Sequence, residues 1–328
     1  MFLKGFTALG LLVSAAFLAV GQTSTSETSP ERRSYVRMFQ FSPDSKTVVS
    51  YTFEGALLSW DLESRKLQRS QKAKADNTTF DPLGNVLTIE AAAEGIRLID
   101  AARNQEVKFL AIPDFTYLYK SVLSPDGKTL AFTEGNYIEF IKIWDVTTGK
   151  EKASIKRPDP DDRLHTMLFS NDGATLAELG RSITLWSTST GKQLGSIKID
   201  AGLMRMTFTP DGKMICVSGF DNINPSFIKC FGALGASSGR EMLSVPADTS
   251  SPFAFSPDGK VLALHRHDQG IFLVNTATAK EIAKITISVD QNSLTQMSFS
   301  PDGKLLAIGA MQGLVMIDPA TKKELFVL

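Results

Sequence analysis

Residues 117–155 read YLYKSVLSPDGKTLAFTEGNYIEFIKIWDVTTGKEKASI. Residues 117–123 suit a first strand, Ser124-Pro125-Asp126-Gly127 a turn, 129–133 a second strand and 138–144 a third. Thr147-Thr148-Gly149-Lys150 then forms a second turn, and 152–155 a short outer strand. The turn chemistry is specific. Proline presets φ at the second turn position, aspartate hydrogen-bonds the turn backbone, and glycine accepts the left-handed conformation that closes the hairpin. The strands are apolar on both faces, as in Leu130-Ala131-Phe132 and Ile141-Lys142-Ile143-Trp144, so this sheet packs between two others.

The unit recurs. An apolar residue precedes a Ser-Pro-Asp-Gly-like turn at Phe41, Phe80, Leu123, Phe169, Phe208, Phe255 and Phe299, in steps of 39 to 47 residues. A strand-rich unit of that length cannot bury both faces alone and needs a neighbour on each side, which predicts an all-β, seven-bladed β-propeller of four-stranded antiparallel blades over residues 34–328. Repeat one has Ser45 in place of the glycine, repeat two reads Asp81-Pro82-Leu83-Gly84, and repeat four has Asn171 in place of proline. Repeat five is the outlier, with a longer loop around Asp221-Asn222-Ile223-Asn224-Pro225 and an expanded stretch at 232–239. The chain starts with an inner strand and ends with an outer one, which predicts closure of the ring by blade-face packing alone.

The Phe-Ser-Pro-Asp-Gly-Lys turns, together with Trp60-Asp61 and Trp144-Asp145, resemble WD40 repeats across nearly all of 34–328. The resemblance is nearest to exported bacterial WD40-like and TolB-like propellers, which share a fold more than a function. It departs from the family pattern in lacking a Gly-His pair. The tryptophan position holds Trp60, Trp144 and Trp186 in three repeats but Ile99, Phe231, Val274 and Ile317 in the others, so apolar packing is expected where the family has a buried polar network.

Lys+Arg and Asp+Glu each number 35, and no basic run tracks phosphates, which argues against a nucleic-acid partner. Lys4, the apolar stretch 6–20 and the small residues of Ala19-Val20-Gly21 read as a signal peptide over residues 1–21, cleaved before Gln22; retention as an anchor is the alternative. Residues 22–33 are a polar, Ser/Thr-rich leader expected to be disordered. A periplasmic or secreted protein with no membrane span after cleavage is the expectation.

The two cysteines, Cys216 and Cys230, fall on neighbouring strands of repeat five with side chains on one face. A cross-strand disulfide and a pair of buried thiols both fit. His265, Arg266, His267 and Asp268 end a strand in repeat six; alternation would put both imidazoles on one side, yet zinc needs a third ligand, so a solvated loop is expected. Asn77-Thr78-Thr79 fits a glycosylation acceptor, relevant only in a eukaryotic secretory pathway. No nucleophile elbow, phosphate cradle or catalytic set stands out, and no cofactor is implied.

The Ser-Pro-Asp-Gly and Thr-Gly-Lys turns share one face of the ring. The opposite face collects carboxylates, among them Glu54, Glu134, Asp159, Asp161, Asp162, Asp221 and Asp268, beside Asn222, Asn224, His265 and His267. These are the candidate binding residues, and they point to a protein or peptide partner in the cell envelope, favouring a cationic one. A non-enzymatic scaffold is the leading expectation. The alternative is a lactonase- or quinoprotein-type propeller enzyme with its site at the central channel.

Overall fold

The computed structural model describes residues 35–72, 78–81, 85–101, 103–134, 139–157, 164–199, 201–220, 226–248 and 251–328. The signal segment 1–21, the leader 22–33 and Asn77 lie outside them. The described strands form seven antiparallel sheets, each of four strands consecutive in the chain. Repeat three runs Leu118–Leu123, Thr129–Glu134, Phe140–Asp145 and Lys150–Lys156, from inner to outer strand. The seven-bladed all-β propeller is therefore the architecture.

Apolar residues on both faces of each blade are consumed by packing. In blade five Ile215 and Val217 join the core shared with blade four, through Leu185 and Ile197, whereas Cys216, Ile228 and Cys230 join Leu262 and Phe272 of blade six. Successive residues of one strand thus serve different neighbours, which is the period-2 rule applied to a sheet with no solvent face. Cys216 and Cys230 stand directly opposite each other and are joined in a disulfide, with both residues fully buried.

In every blade the pairing of third and outer strands slips by one residue at the tryptophan-equivalent position. Such a bulge bends and twists the outer strand, as the curvature of a blade requires. The turns also touch across blades: Asn171, at the proline position of blade four, donates to the carbonyls of Thr209 at 3.2 Å and Pro210 at 2.8 Å in blade five.

The seam between blades seven and one corrects the expectation of packing alone. Val36, Phe39, Phe41 and Val48 do pack on Ala307, Leu314 and Met316. In addition, the Gln296 side chain acts as a surrogate strand: its Oε1 accepts from Phe39 N–H at 2.8 Å and its Nε2 donates to Phe39 C=O at 3.1 Å. Thr295 Oγ1 donates to Val36 C=O at 2.7 Å, and Asp302 N–H donates to Ser45 Oγ at 3.1 Å. Ser45 adopts φ 59°, the conformation the usual glycine would take. A Cβ at Gly309 would lie 2.6 Å from Thr295 Oγ1, so a larger residue there would displace the hydroxyl that bonds Val36. Among the described residues no strand is exchanged between the first and last blades.

The polar network expected to be lost survives in one altered form. Trp186 Nε1 donates to Glu178 Oε2 at 3.0 Å, and Arg157 Nε donates to Glu178 Oε1 at 2.5 Å, with both charged side chains buried. This pair ties the end of blade three to blade four. The Nε1 atoms of Trp60 and Trp144 are buried with no hydrogen-bond partner, so apolar packing does replace the network there.

Candidate binding face

The face built from inner-to-second and third-to-outer turns is largely occupied with itself. Ser42, Ser124, Ser170, Thr209, Ser256 and Ser300 each donate a hydroxyl hydrogen bond of 2.6–2.7 Å to the turn aspartate two residues on. Those hydroxyls hold the carboxyls of Asp44, Asp126, Asp172, Asp258 and Asp302 below the usual range, so they are ionised and committed to capping. The expanded stretch of repeat five belongs to this face too. It folds on itself through the short 3-10 turn Gly235–Ser237, with Gly232 N–H donating to Arg240 C=O at 2.9 Å. It therefore lies on the face opposite the carboxylate candidates.

On the opposite face the sequence candidates separate. Asp159, Asp161, Asp162, Asp221, Asn222 and Asn224 lie outside the described residues. Glu54 is exposed in the turn between second and third strands of blade one. Glu134 is ion-paired with Lys142 of its own sheet, which cancels its charge locally. Asp268 is exposed at φ 57° and approaches His267 at 3.4 Å.

The histidines correct the sequence reading. The strand Val261–Arg266 stops before His267, so strand alternation does not extend to it. His267 is exposed, whereas His265 is buried rather than part of a solvated loop. Its Nδ1 lies 2.7 Å from Ser251 Oγ and its Nε2 3.4 Å from Gln291 Oε1, with Asp248 Oδ2 at 3.7 Å. Burial lowers its pKa, outweighing the Gln291 and Asp248 contributions, and holds it neutral near pH 7. Asp248 in turn accepts from the His267 amide. His265 thus fastens the loops on either side of blade six.

Residues that sequence reasoning missed stand near the start of inner strands, at the end of each strand away from the Ser-Pro-Asp-Gly turns. The inner strands of blades one, three and five each carry a bulge, and the extra residues are Arg37, Tyr119 and Met204. A bulge re-aims the side chain it inserts. All three are exposed, Tyr119 by 40% and Met204 by 53%. Aromatic groups flank them. In blade one Tyr35 stacks on Phe53 at 4.4 Å, and the Arg37 guanidinium lies 6.0 Å from the Phe53 ring centroid. In blade three Lys120 Nζ is 5.6 Å from the Tyr119 ring. In blade five Phe220 lies over Gly202, where a Cβ would come within 2.5 Å of its ring. A glycine opposite an aromatic was the available signal for Phe220. No residue type marks an inner-strand bulge, so Arg37, Tyr119 and Met204 had none.

Among solved structures the chain is similar to one titled hydrazine synthase from Kuenenia stuttgartiensis, at 16% identity and a TM-score of 0.64, covering 92% of this chain and 99% of that one. At that identity the likeness is one of fold. Since 1687 solved chains are similar to this one, the fold alone selects no activity. No family model and no curated relative matches the sequence.

Proposed function

We propose that this propeller is an exported, non-enzymatic platform that binds a protein or peptide of the cell envelope at the end of the inner strands that carries Arg37, Tyr119 and Met204. The observation that carries the reading is the set of three bulges. Each turns a large side chain out of an inner strand that otherwise faces neighbouring blades, and Phe53 and Phe220 extend the exposed apolar and aromatic surface beside them. Exposed aromatic and Met side chains gathered on one face, with arginine among them, have the composition of interface anchors. Export is supported by Lys4, the apolar stretch 6–20 and Ala19-Val20-Gly21.

The test is cross-linking in the native envelope with the triple variant Tyr119→Ala, Met204→Ala, Phe220→Ala. These side chains are exposed, so the thermal midpoint stays within a few degrees while the yield of a specific cross-linked partner falls by more than about tenfold. An unchanged yield refutes the reading. N-terminal sequencing beginning at Gln22 supports export with cleavage, and a chain that retains Met1 rejects the cleaved form.

A further inference from the structure

Ser251 lies in the loop between the outer strand Glu241–Pro246 of blade five and the inner strand Phe253–Phe255 of blade six. Among the described residues it is the one serine or threonine whose hydroxyl meets an imidazole, with Oγ 2.7 Å from His265 Nδ1. Across the ring, His265 Nε2 faces Gln291 Oε1 at 3.4 Å, from the short 3-10 turn Gln291–Ser293. An amide oxygen only accepts, so the ring proton sits on Nε2 and Nδ1 keeps its lone pair for the Ser251 hydroxyl. Asp248 does not compete for Nδ1, because its Oδ2 is 3.7 Å away and accepts from the His267 amide.

A hydroxyl on a base that a third group orients is the arrangement of an activated nucleophile. Burial keeps the imidazole neutral near pH 7, which is the form that takes a proton. Ser251 itself is only half-buried, within reach of a small reagent. The turn serines differ. Ser42, Ser124 and Ser256 donate to aspartates whose carboxylates are far too weakly basic to take a hydroxyl proton at neutral pH.

From this geometry we infer that Ser251 is an acyl-accepting nucleophile with His265 as its base, and that its co-reactant is an activated carboxylic ester or thioester. Oγ bonds to the acyl carbon as its proton passes to Nδ1. The bond from that carbon to the leaving oxygen or sulfur breaks, and the leaving atom takes the proton back from Nδ1. Asp248, 3.7 Å from Nδ1, favours the imidazolium between the two transfers. The product is a serine ester, and no oxidant or reductant is required. The inference goes beyond the platform reading and involves none of Arg37, Tyr119 or Met204.

Incubation of the purified protein with p-nitrophenyl acetate near neutral pH, followed by peptide mass spectrometry, tests it. The acetyl group is expected on Ser251 about a hundredfold faster than on Ser64, an exposed serine whose hydroxyl donates to Asp61 at 2.6 Å. His265→Gln removes that excess. Because this variant also loosens two loops, Gln291→Leu and Gln291→Glu supply a second readout. Leucine leaves the tautomer unfixed and slows Ser251 about tenfold, whereas glutamate keeps an acceptor on Nε2 and retains the rate. Acetylation of Ser251 no faster than that of Ser64, or at a rate that neither His265→Gln nor Gln291→Leu lowers, overturns the inference. Release of p-nitrophenol well beyond one equivalent keeps Ser251 as the nucleophile and refutes the non-enzymatic part of the platform reading, whose binding part is decided separately by the cross-linking.

Discussion

Replacing Gln296 with leucine keeps most of the side-chain volume in the seam and removes both hydrogen bonds to Phe39. Phe39 is buried, so its N–H and C=O lose their partners at a place where water has limited access. Leaving a buried backbone group unpaired costs about 1–3 kcal/mol, and two partly shielded groups give about 2–4 kcal/mol for Gln296→Leu. Larger domains lose roughly 2–4 °C of thermal midpoint per kcal/mol, so a fall of roughly 4–16 °C is expected in a calorimetric scan. Thr166→Ala is the control, since Thr166 occupies the same level of an inner strand and, among the described residues, its hydroxyl reaches the neighbouring Met167 carbonyl alone, at 3.5 Å. Hydrogen exchange adds a local readout, with faster exchange at the Phe39 amide than elsewhere in blade one. If Gln296→Leu is no less stable than Thr166→Ala, and the Phe39 amide stays protected, the surrogate-strand account of closure is wrong.

Removing the disulfide by Cys216→Ala with Cys230→Ala is expected to cost about 3 kcal/mol for a 14-residue separation, and alkylation of the native protein should find no free thiol; two free thiols would refute the bonded form. Glu178→Leu leaves Arg157 buried without its carboxylate and should cost about 3–5 kcal/mol by denaturant titration, whereas pairing it with Arg157→Leu recovers most of that loss. A double variant as unstable as the single one would contradict this. Acid should act in two stages. His265 is held neutral with its pKa below the ordinary value near 6.5, so its share of stability is complete above that value and declines as pH falls through the interval down to the lowered one. The turn aspartates lose their share only below the ordinary carboxylate value near 3.8. In a pH series of thermal midpoints, His265→Gln should remove the upper stage and leave the lower one; persistence of the upper stage would assign it elsewhere.

Blade number, strand order and the apolar character of both blade faces were legible in the chain itself. They depend on local rules repeated seven times: a turn that only Pro-Asp-Gly-like residues close well, and strands whose two faces are both apolar. The facing cysteines were legible for the same reason, since a hairpin register follows from its turn. Other features depend on groups far apart in sequence, and no local rule reaches them. Gln296 finds Phe39 across 257 positions only because the ring closes, and Arg157 finds Glu178 only because blade three abuts blade four. His265 looked solvated because no third metal ligand stood near it in the chain, whereas Ser251 and Gln291, which lie against its imidazole, come from two other loops. The inner-strand bulges were hidden most completely. A single inserted residue reverses the facing of a side chain without altering composition or periodicity, so where Arg37, Tyr119 and Met204 point was decided by strand register and blade twist in the assembled ring.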